Sequence, residues 1–291
     1  MEYKKMVSVA IITYQHINYI EQTIKSVLMQ ETSYDYEIVI ADDCSTDGTR
    51  EIVQKYKEMY PEKIRLVLHS ENVGMVKNEA SLLSACEGKY IAYLDGDDYW
   101  TDPHKLQIQI DFLENNNEYS SCYSDAQCIG DYGEEVTSYK VYKNDISDYK
   151  FFYEGVPTIP TSSFVIRNIF LNTDYIKYYS GMKYITDRIS FCLALKHGKI
   201  GYIDRKMVVY RFFTHGKSFS SNKILIQKID YVTCLDVQLN IVPEEVREIV
   251  EKQILNHEKE IAEEALEKKL YKTLINFLMD RVKSEEEKIN I

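Results

Sequence analysis

The sequence of 291 residues is notable first for what it lacks. No apolar run approaches the ~20 residues that a membrane-crossing helix requires. The opening segment, MEYKKMVSVAIITY, is apolar only briefly. It is too short for a signal peptide and suits a buried first strand. The six cysteines (Cys44, Cys86, Cys122, Cys128, Cys192 and Cys234) form no C-x-x-C pair. That removes the usual zinc spacing, and the chain is too long for a small disulfide-stapled scaffold. Reduced thiols and a cytoplasmic location are expected, with any membrane contact peripheral. Basic residues are in deficit: 35 Lys and Arg against 46 Asp and Glu give a net charge of −11. This argues against nucleic acid as the main partner, because a phosphate backbone calls for a basic stripe. A chain this acidic that handles phosphates must compensate locally, and a bound divalent cation is the usual means. Glycine is absent from residue 222 onward, and no internal repeat or low-complexity linker occurs.

What is present reads as an α/β fold. Residues 7–13 (VSVAIIT), 37–41 (EIVIA), 64–68 (IRLVL) and 90–94 (YIAYL) have the apolar character of strands buried on both faces. Helices fill the intervals. The first starts at Asn18, with Glu21 at capping-box spacing and Ile20, Ile24, Val27 and Leu28 along one face. The second runs from about Thr49 until Pro61 stops it, with Ile52, Val53 and Tyr56 inward. The third runs from about Val76 to near Gly88. This alternation implies a mostly parallel central sheet with helices on both faces. Beyond residue 100 the pattern loosens. A helix is expected over 104–114, a loop-rich stretch over 130–150, and a helix over 187–197 closed by Gly198. Two short strands, GYID and MVVYRF, follow. After residue 222 the composition turns to Lys, Glu and aliphatics, and helices are expected over 223–241 and 244–287, the second opened by Pro243.

In an open parallel sheet, ligands bind beyond the carboxyl ends of the strands. Thr13 and Tyr14 follow the first strand, Asp42 and Asp43 the second, His69, Asn72 and Gly74 the third, and Asp95, Asp97 and Asp98 the fourth. Three carboxylates within four residues repel one another. Either they form a solvated acidic turn, or they hold Mg²⁺ or Mn²⁺ through hard oxygen ligands. Ser45, Thr46 and Asp47 precede a helix, and Thr46 or Asp47 is expected to cap it. Asp42 is read as structural and Asp43 as the acceptor of a hydrogen bond from a ligand.

These segments together resemble a known family. SVAIITY, EIVIADDCSTDGT, ENVGMVKNEA, KYIAYLDGDDYW, the ITD at 185–187 and YRFFTHGKS occur in the order and spacing of family 2 glycosyltransferases. The resemblance covers about residues 6–220. It implies a GT-A fold, a nucleoside-diphosphate sugar donor, most often a UDP-sugar, and Mn²⁺ or Mg²⁺. It implies that Thr13 and Tyr14 touch the nucleoside, that Asp43 binds the uracil edge, and that Lys77 reaches the diphosphate. Asp95 falls near the ribose, Asp97 at the metal, and Asp98 extends that metal site. Asp187 matches the general base of an inverting transfer. His215 lies in a late segment that closes over the diphosphate and is a candidate metal ligand.

The same residues have plainer readings. Asp187 also suits a helix cap, Trp100 is either core or a platform for a sugar face, and His215 is either a surface histidine or a ligand. Pro160-Thr161-Ser162-Ser163 is either near the acceptor or an ordinary kinked strand. The chain also departs from the family pattern. Lys77 stands where Arg is common and offers a point charge rather than a fork. Cys44 stands where Gly is common, Gln15 where Asn is common, and Thr186 where Glu is common. A GT-A domain is expected over 1–221, with a nucleotide half to about residue 100 and an acceptor half beyond it. A helical extension is expected over 222–291. Val246, Ile249, Val250, Leu266, Leu270, Leu274 and Leu278 either pack it on that domain or pair it with another copy in a homodimer. The acceptor expected is a saccharide, a lipid-linked saccharide or another hydroxyl, in surface polysaccharide or glycoconjugate synthesis. Two alternatives differ in kind: a nucleotidyltransferase making a sugar nucleotide, disfavoured by TYQHINY where a Gly-rich basic loop belongs, and a degenerate scaffold that only binds sugar nucleotide.

Overall fold

The computed structural model describes residues 4–213, 224–270 and 273–281. Its first half alternates β1 (Lys5–Thr13), α1 (Ile20–Leu28), β2 (Tyr36–Asp42), α2 (Thr49–Met59), β3 (Ile64–Leu68), α3 (Met75–Ala85) and β4 (Gly88–Asp95). Then come β5 (Tyr99–Trp100), α4 (Lys105–Asn115), β6 (Tyr119–Ile129), α5 (Tyr149–Gly155), β7 (Val165–Arg167), α6 (Asp187–His197) and β8 (Lys199–Arg211). Two long helices follow, α7 (Ile224–Gln238) and α8 (Glu244–Glu267).

The strands form one eight-stranded sheet in the order β3-β2-β1-β4-β7-β6-β8-β5. The four strands read from the sequence are its parallel half, and β7 and β5 are the antiparallel members. Register decides the site. Thr13 pairs with Asp42, and its neighbour Ile12 pairs with Asp95. The carboxyl ends of β1, β2 and β4 therefore finish level, and the loops that leave them open at one edge.

Both faces of the sheet are covered, which accounts for strands that are apolar throughout. On one face Val7, Val9 and Ile11 pack with Ile20 and Ile24 of α1, Val53 of α2 and Leu106 of α4. On the other, Ala10 and Tyr93 pack with Val76 of α3, Ile189 and Phe191 of α6, and Val232, Val250 and Ile261 of α7 and α8. Each fully buried aliphatic side chain contributes about 1.5–3 kcal/mol. The boundary expected at residue 221 thus separates two sequence regions whose apolar side chains share one core. No helix among the described residues is long and apolar enough to cross a membrane.

Several local expectations are corrected. The capping box at Asn18 and Glu21 does not form. The carbonyl of His16 accepts the N–H groups of Tyr19 and Ile20 at 2.9 Å, so α1 starts two residues late without a side-chain cap. Glu21 instead accepts the Tyr56 hydroxyl at 3.0 Å. GYID and MVVYRF are one strand, β8, and the break in their pattern marks register shifts against β6 around Asp125. The helix expected over 244–287 ends at Glu267, with Lys269 in a left-handed conformation at φ 55°. A further helical stretch, 273–281, returns so that Arg281 pairs with both Asp236 and Glu258.

Candidate active site

The loops at the level edge of the sheet surround a cleft of about 1710 Å³. Small-molecule sites run to roughly 300–1,000 Å³, so this volume has room for two substrates. Thr13, Tyr14, Asp43, Lys77, Asp95, Asp97 and Asp187 all line it. His215 lies outside the described residues.

At one end, Asp43 ties two loops together. Its carboxylate accepts the N–H groups of Val73 and Gly74 at 2.7 and 3.0 Å. Asp43 is buried, so it reaches the cleft from below as part of the wall. Asp42 is occupied elsewhere, paired with Arg50 at 2.6 Å and bonded to the N–H of Ser45. Asp47 accepts the N–H of Thr49 at 3.0 Å and that of Ile17 at 3.1 Å, so it joins the loops after β1 and β2; the cap position of α2 is Gly48, not Thr46 or Asp47, and carries no side-chain cap. Lys77 stands exposed on the first turn of α3.

The acidic turn is held from several sides. The N–H of Gly96 donates to the carbonyl of Ile12 at 2.8 Å, and the Thr23 hydroxyl donates to the carbonyls of Gly96 and Asp98 at 2.9 and 2.7 Å. A Cβ at residue 96 would lie 2.7 Å from both the Thr13 hydroxyl oxygen and the His16 ring, so only glycine fits. The three acids part company here. Asp98 is buried, and both its oxygens are used: one takes the backbone N–H of Arg211 at 2.8 Å, the other the Ser162 hydroxyl at 2.5 Å. It does not line the cleft, and this corrects its expected place at the metal. Asp98 braces β8 and the 160–163 turn against the acidic loop. Asp97 faces the cleft, with the His16 ring 3.9 Å from its carboxylate. Asp95 lies between them, and burial, with the charges of Asp97 and Asp187 added, pushes its carboxyl up to about 7.

Asp187 opens α6, but it does not cap it. The cap position is Thr186, and Asp187 accepts the N–H of its neighbour Arg188 at 2.8 Å and the Thr161 hydroxyl at 3.4 Å. Burial raises its pKa, while the charge and N–H of Arg188 oppose that rise. The Pro160–Ser163 segment is central rather than incidental: Thr161 touches Asp187, and Ser162 touches Asp98 and, at 3.4 Å, Asp95. Trp100 is core. It is 1% exposed, donates its indole N–H to the carbonyl of Ser162 at 3.0 Å, and lies under the Lys105 ammonium.

The fit to a divalent cation can be judged from these groups. Among the described residues, no set of three or more His, Cys, Asp and Glu side chains converges as a metal cage. Asp97 offers one open carboxylate, and the repulsion it adds to the burial of Asp95 is relieved by positive charge between them. Such a donor set suits a hard cation that takes its remaining oxygens from a diphosphate.

The pattern of the Glycosyl transferase family 2 matches residues 8–174, more than half of the chain. The chain belongs to glycosyl transferase family 2. An uncharacterized protein of Mycobacterium tuberculosis is 30% identical over 219 residues, which is 72% of this chain and 59% of that protein. The chain thus spans about three-fifths of the length of that relative. TuaG of Bacillus subtilis, named for teichuronic acid biosynthesis, is 41% identical over 111 residues, 38% of this chain and 43% of that one. Among solved structures, Staphylococcus aureus TarS 1–349 with UDP-GlcNAc superposes with a TM-score of 0.65 at 19% identity, over 87% of this chain and 72% of that one. The mannosyltransferase PcManGT of Pyrobaculum calidifontis, with GDP-Man and Mn²⁺, gives 0.57 at 15% identity, over 91% and 76%. The fold of this chain is GT-A.

Three features around the cleft were not read from the sequence. Asp230 of α7 accepts three successive N–H groups from the loop ahead of Asp187. Nothing local to residue 230 signals this, because the partner loop is remote in sequence. Glu79 of α3 is a buried acid in the cleft wall, pushed up to about 8 by burial, with the Thr186 hydroxyl beside it. It occupies an ordinary helical position, so only the fold shows its burial. Arg211 lies in the YRFFTHGKS segment, and its guanidinium grips the carbonyl of Asp97 and the Gln22 side chain.

Proposed function

We propose that this glycosyltransferase transfers a sugar from a nucleoside-diphosphate donor, UDP-linked, to a hydroxyl of a saccharide or lipid-linked saccharide, with inversion and with a divalent cation. The observation that carries the reading is that Asp97, Lys77 and Asp187 line one cleft, the first two beside the loops of the parallel half and the third on α6. Tyr14 and Thr13 are suited to hold the nucleoside, and Asp43 the uracil edge. Lys77 supplies positive charge to the leaving diphosphate. Asp97 would hold Mn²⁺ or Mg²⁺, which when bound neutralises charge on the departing diphosphate. Asp187 takes the proton from the acceptor hydroxyl as that oxygen attacks the face of the sugar away from the leaving group. It must be ionised to do so, and Arg188 works against burial in that sense. A role in making surface polysaccharide or glycoconjugate is in keeping with the name of TuaG. A melting panel of UDP, GDP and dTDP with Mn²⁺ tests the donor. UDP should stabilise the protein most, and a preference for another base would overturn the uracil assignment.

A further inference from the structure

The elements that carry Asp187 also carry two cations without acidic partners. Lys183 and Arg188 both line the cleft, and among the described residues neither forms an ion pair. Elsewhere in the cleft Lys77 stands exposed on α3, at the end assigned to the diphosphate, and two further basic groups are engaged. Lys228 pairs with Glu260 and Glu264 at 3.1 and 3.3 Å, and Arg211 grips Asp97 and Gln22. In a chain with 46 acids to 35 bases, an unpaired arginine beside a catalytic centre calls for a reason.

The placement of Arg188 is specific. Its guanidinium lies 4.3 Å from the Phe152 ring centre and 5.3 Å from that of Tyr231. Two aromatic faces fix the plane of the fork without neutralising it. Its Nε and Nη2 are buried and, among the described residues, donate to no partner. Buried donors of a charged group are costly to leave unmet. Asp187, the adjacent acid, is not within ion-pair distance, although the Arg188 charge still lowers its pKa. The Tyr231 wall comes from α7, outside the parallel half that forms the donor end.

We propose that Arg188, aided by Lys183, reads an anionic group on the acceptor, a phosphate or a carboxylate near the hydroxyl that Asp187 deprotonates. The proposal rests on the reading of Asp187 as the general base. A cleft lined by the carboxylates of Asp97 and Asp187 repels such an acceptor unless positive charge is placed locally. A planar fork held between rings meets either oxyanion with two parallel hydrogen bonds. A neutral acceptor would dehydrate the guanidinium and give nothing back.

The test uses the whole protein saturated with UDP and Mn²⁺, so that the diphosphate site is filled. Melting temperature is followed as sn-glycerol 3-phosphate, glucuronate, glycerol or glucose is added at matched ionic strength. At least one anionic probe should stabilise the protein where its neutral counterpart does not, and which one does so names the phosphate or the carboxylate. Arg188→Gln should weaken that response by about tenfold or more. Should Arg188→Gln not fold, Arg188→Lys serves, since it keeps the charge and loses the fork, and its response must also fall. Lys183→Ala should weaken the response less. Equal responses to anionic and neutral probes, or an anionic response unchanged by both Arg188 variants, would overturn the proposal. If UDP with Mn²⁺ fails to stabilise the wild type, the donor reading fails instead, and the acceptor probes are then judged the same way without nucleotide.

Discussion

Asp230 accepts the backbone N–H of Lys183 at 2.6 Å, and its second oxygen takes those of Tyr184 and Ile185 at 2.9 and 2.8 Å. One buried carboxylate on α7 therefore sets the loop that ends at Asp187. Asp230→Ala should destabilise the fold by about 2–4 kcal/mol, since three N–H groups lose their acceptor. Turnover should fall while UDP affinity, measured by calorimetry, stays within about twofold, because the donor end is built from other loops. An equal loss of UDP affinity would refute the division of labour.

Asp97 and Asp98 should separate cleanly. Asp97→Ala leaves the packed core untouched, so its melting temperature should match the wild type while metal-dependent transfer is lost. Asp98→Ala removes the brace to Arg211 and Ser162. It should cost about 3 kcal/mol. Urea unfolding of the two variants checks this, and a stable Asp98→Ala would sink its bracing role.

Gly96→Ala places a Cβ 2.7 Å from the Thr13 hydroxyl oxygen and the His16 ring. Relief requires the acidic turn to move off β1, so a loss of about 2 kcal/mol and of donor binding is expected. A variant that binds UDP normally would show that the turn is more pliant than its hydrogen bonds imply.

Stability should depend on pH through Glu79 and Lys105 with opposite signs. Glu79 rises from 4.5 to about 8, so between those values the folded state holds a proton that the unfolded chain has released. Its contribution is complete below pH 4.5 and is lost as pH rises through 8. Glu79→Gln should remove that slope and stabilise the protein at pH 9 by on the order of a few kcal/mol. Lys105 is buried over Trp100, and burial lowers it from 10.5 to about 7. Here the unfolded chain holds the extra proton, so stability rises with pH from 7 to 10.5, and Lys105→Met should flatten that rise. Denaturation curves across pH 5–10 read both slopes.

The parallel half of the sheet and its helices were legible because apolar runs and turn residues there are contiguous. VSVAIIT and YIAYL each announce a strand buried on both faces, and their carboxyl ends carry the polar residues of the cleft. The antiparallel part was not legible. β7 is three residues long, and β5 two, so neither shows a period. The capping box failed because a competing turn at His16 was invisible in the sequence. Cys44 shows a departure whose reason emerges only in the fold: at φ 60° it adopts the left-handed conformation that glycine takes without strain. Asp98 could not be told from Asp97 in sequence, since burial and partners distinguish them, and both depend on Ser162 and β8.

The clasp at Asp230 also orders events in time. The parallel half and the acidic turn precede it in the chain, so during synthesis these can fold as soon as they emerge. The loop ahead of Asp187 must wait for α7. A growing chain can therefore hold a finished parallel half while the Asp187 carboxylate is still unanchored. On the proposed reading, a donor captured at that stage would meet no base fixed for attack.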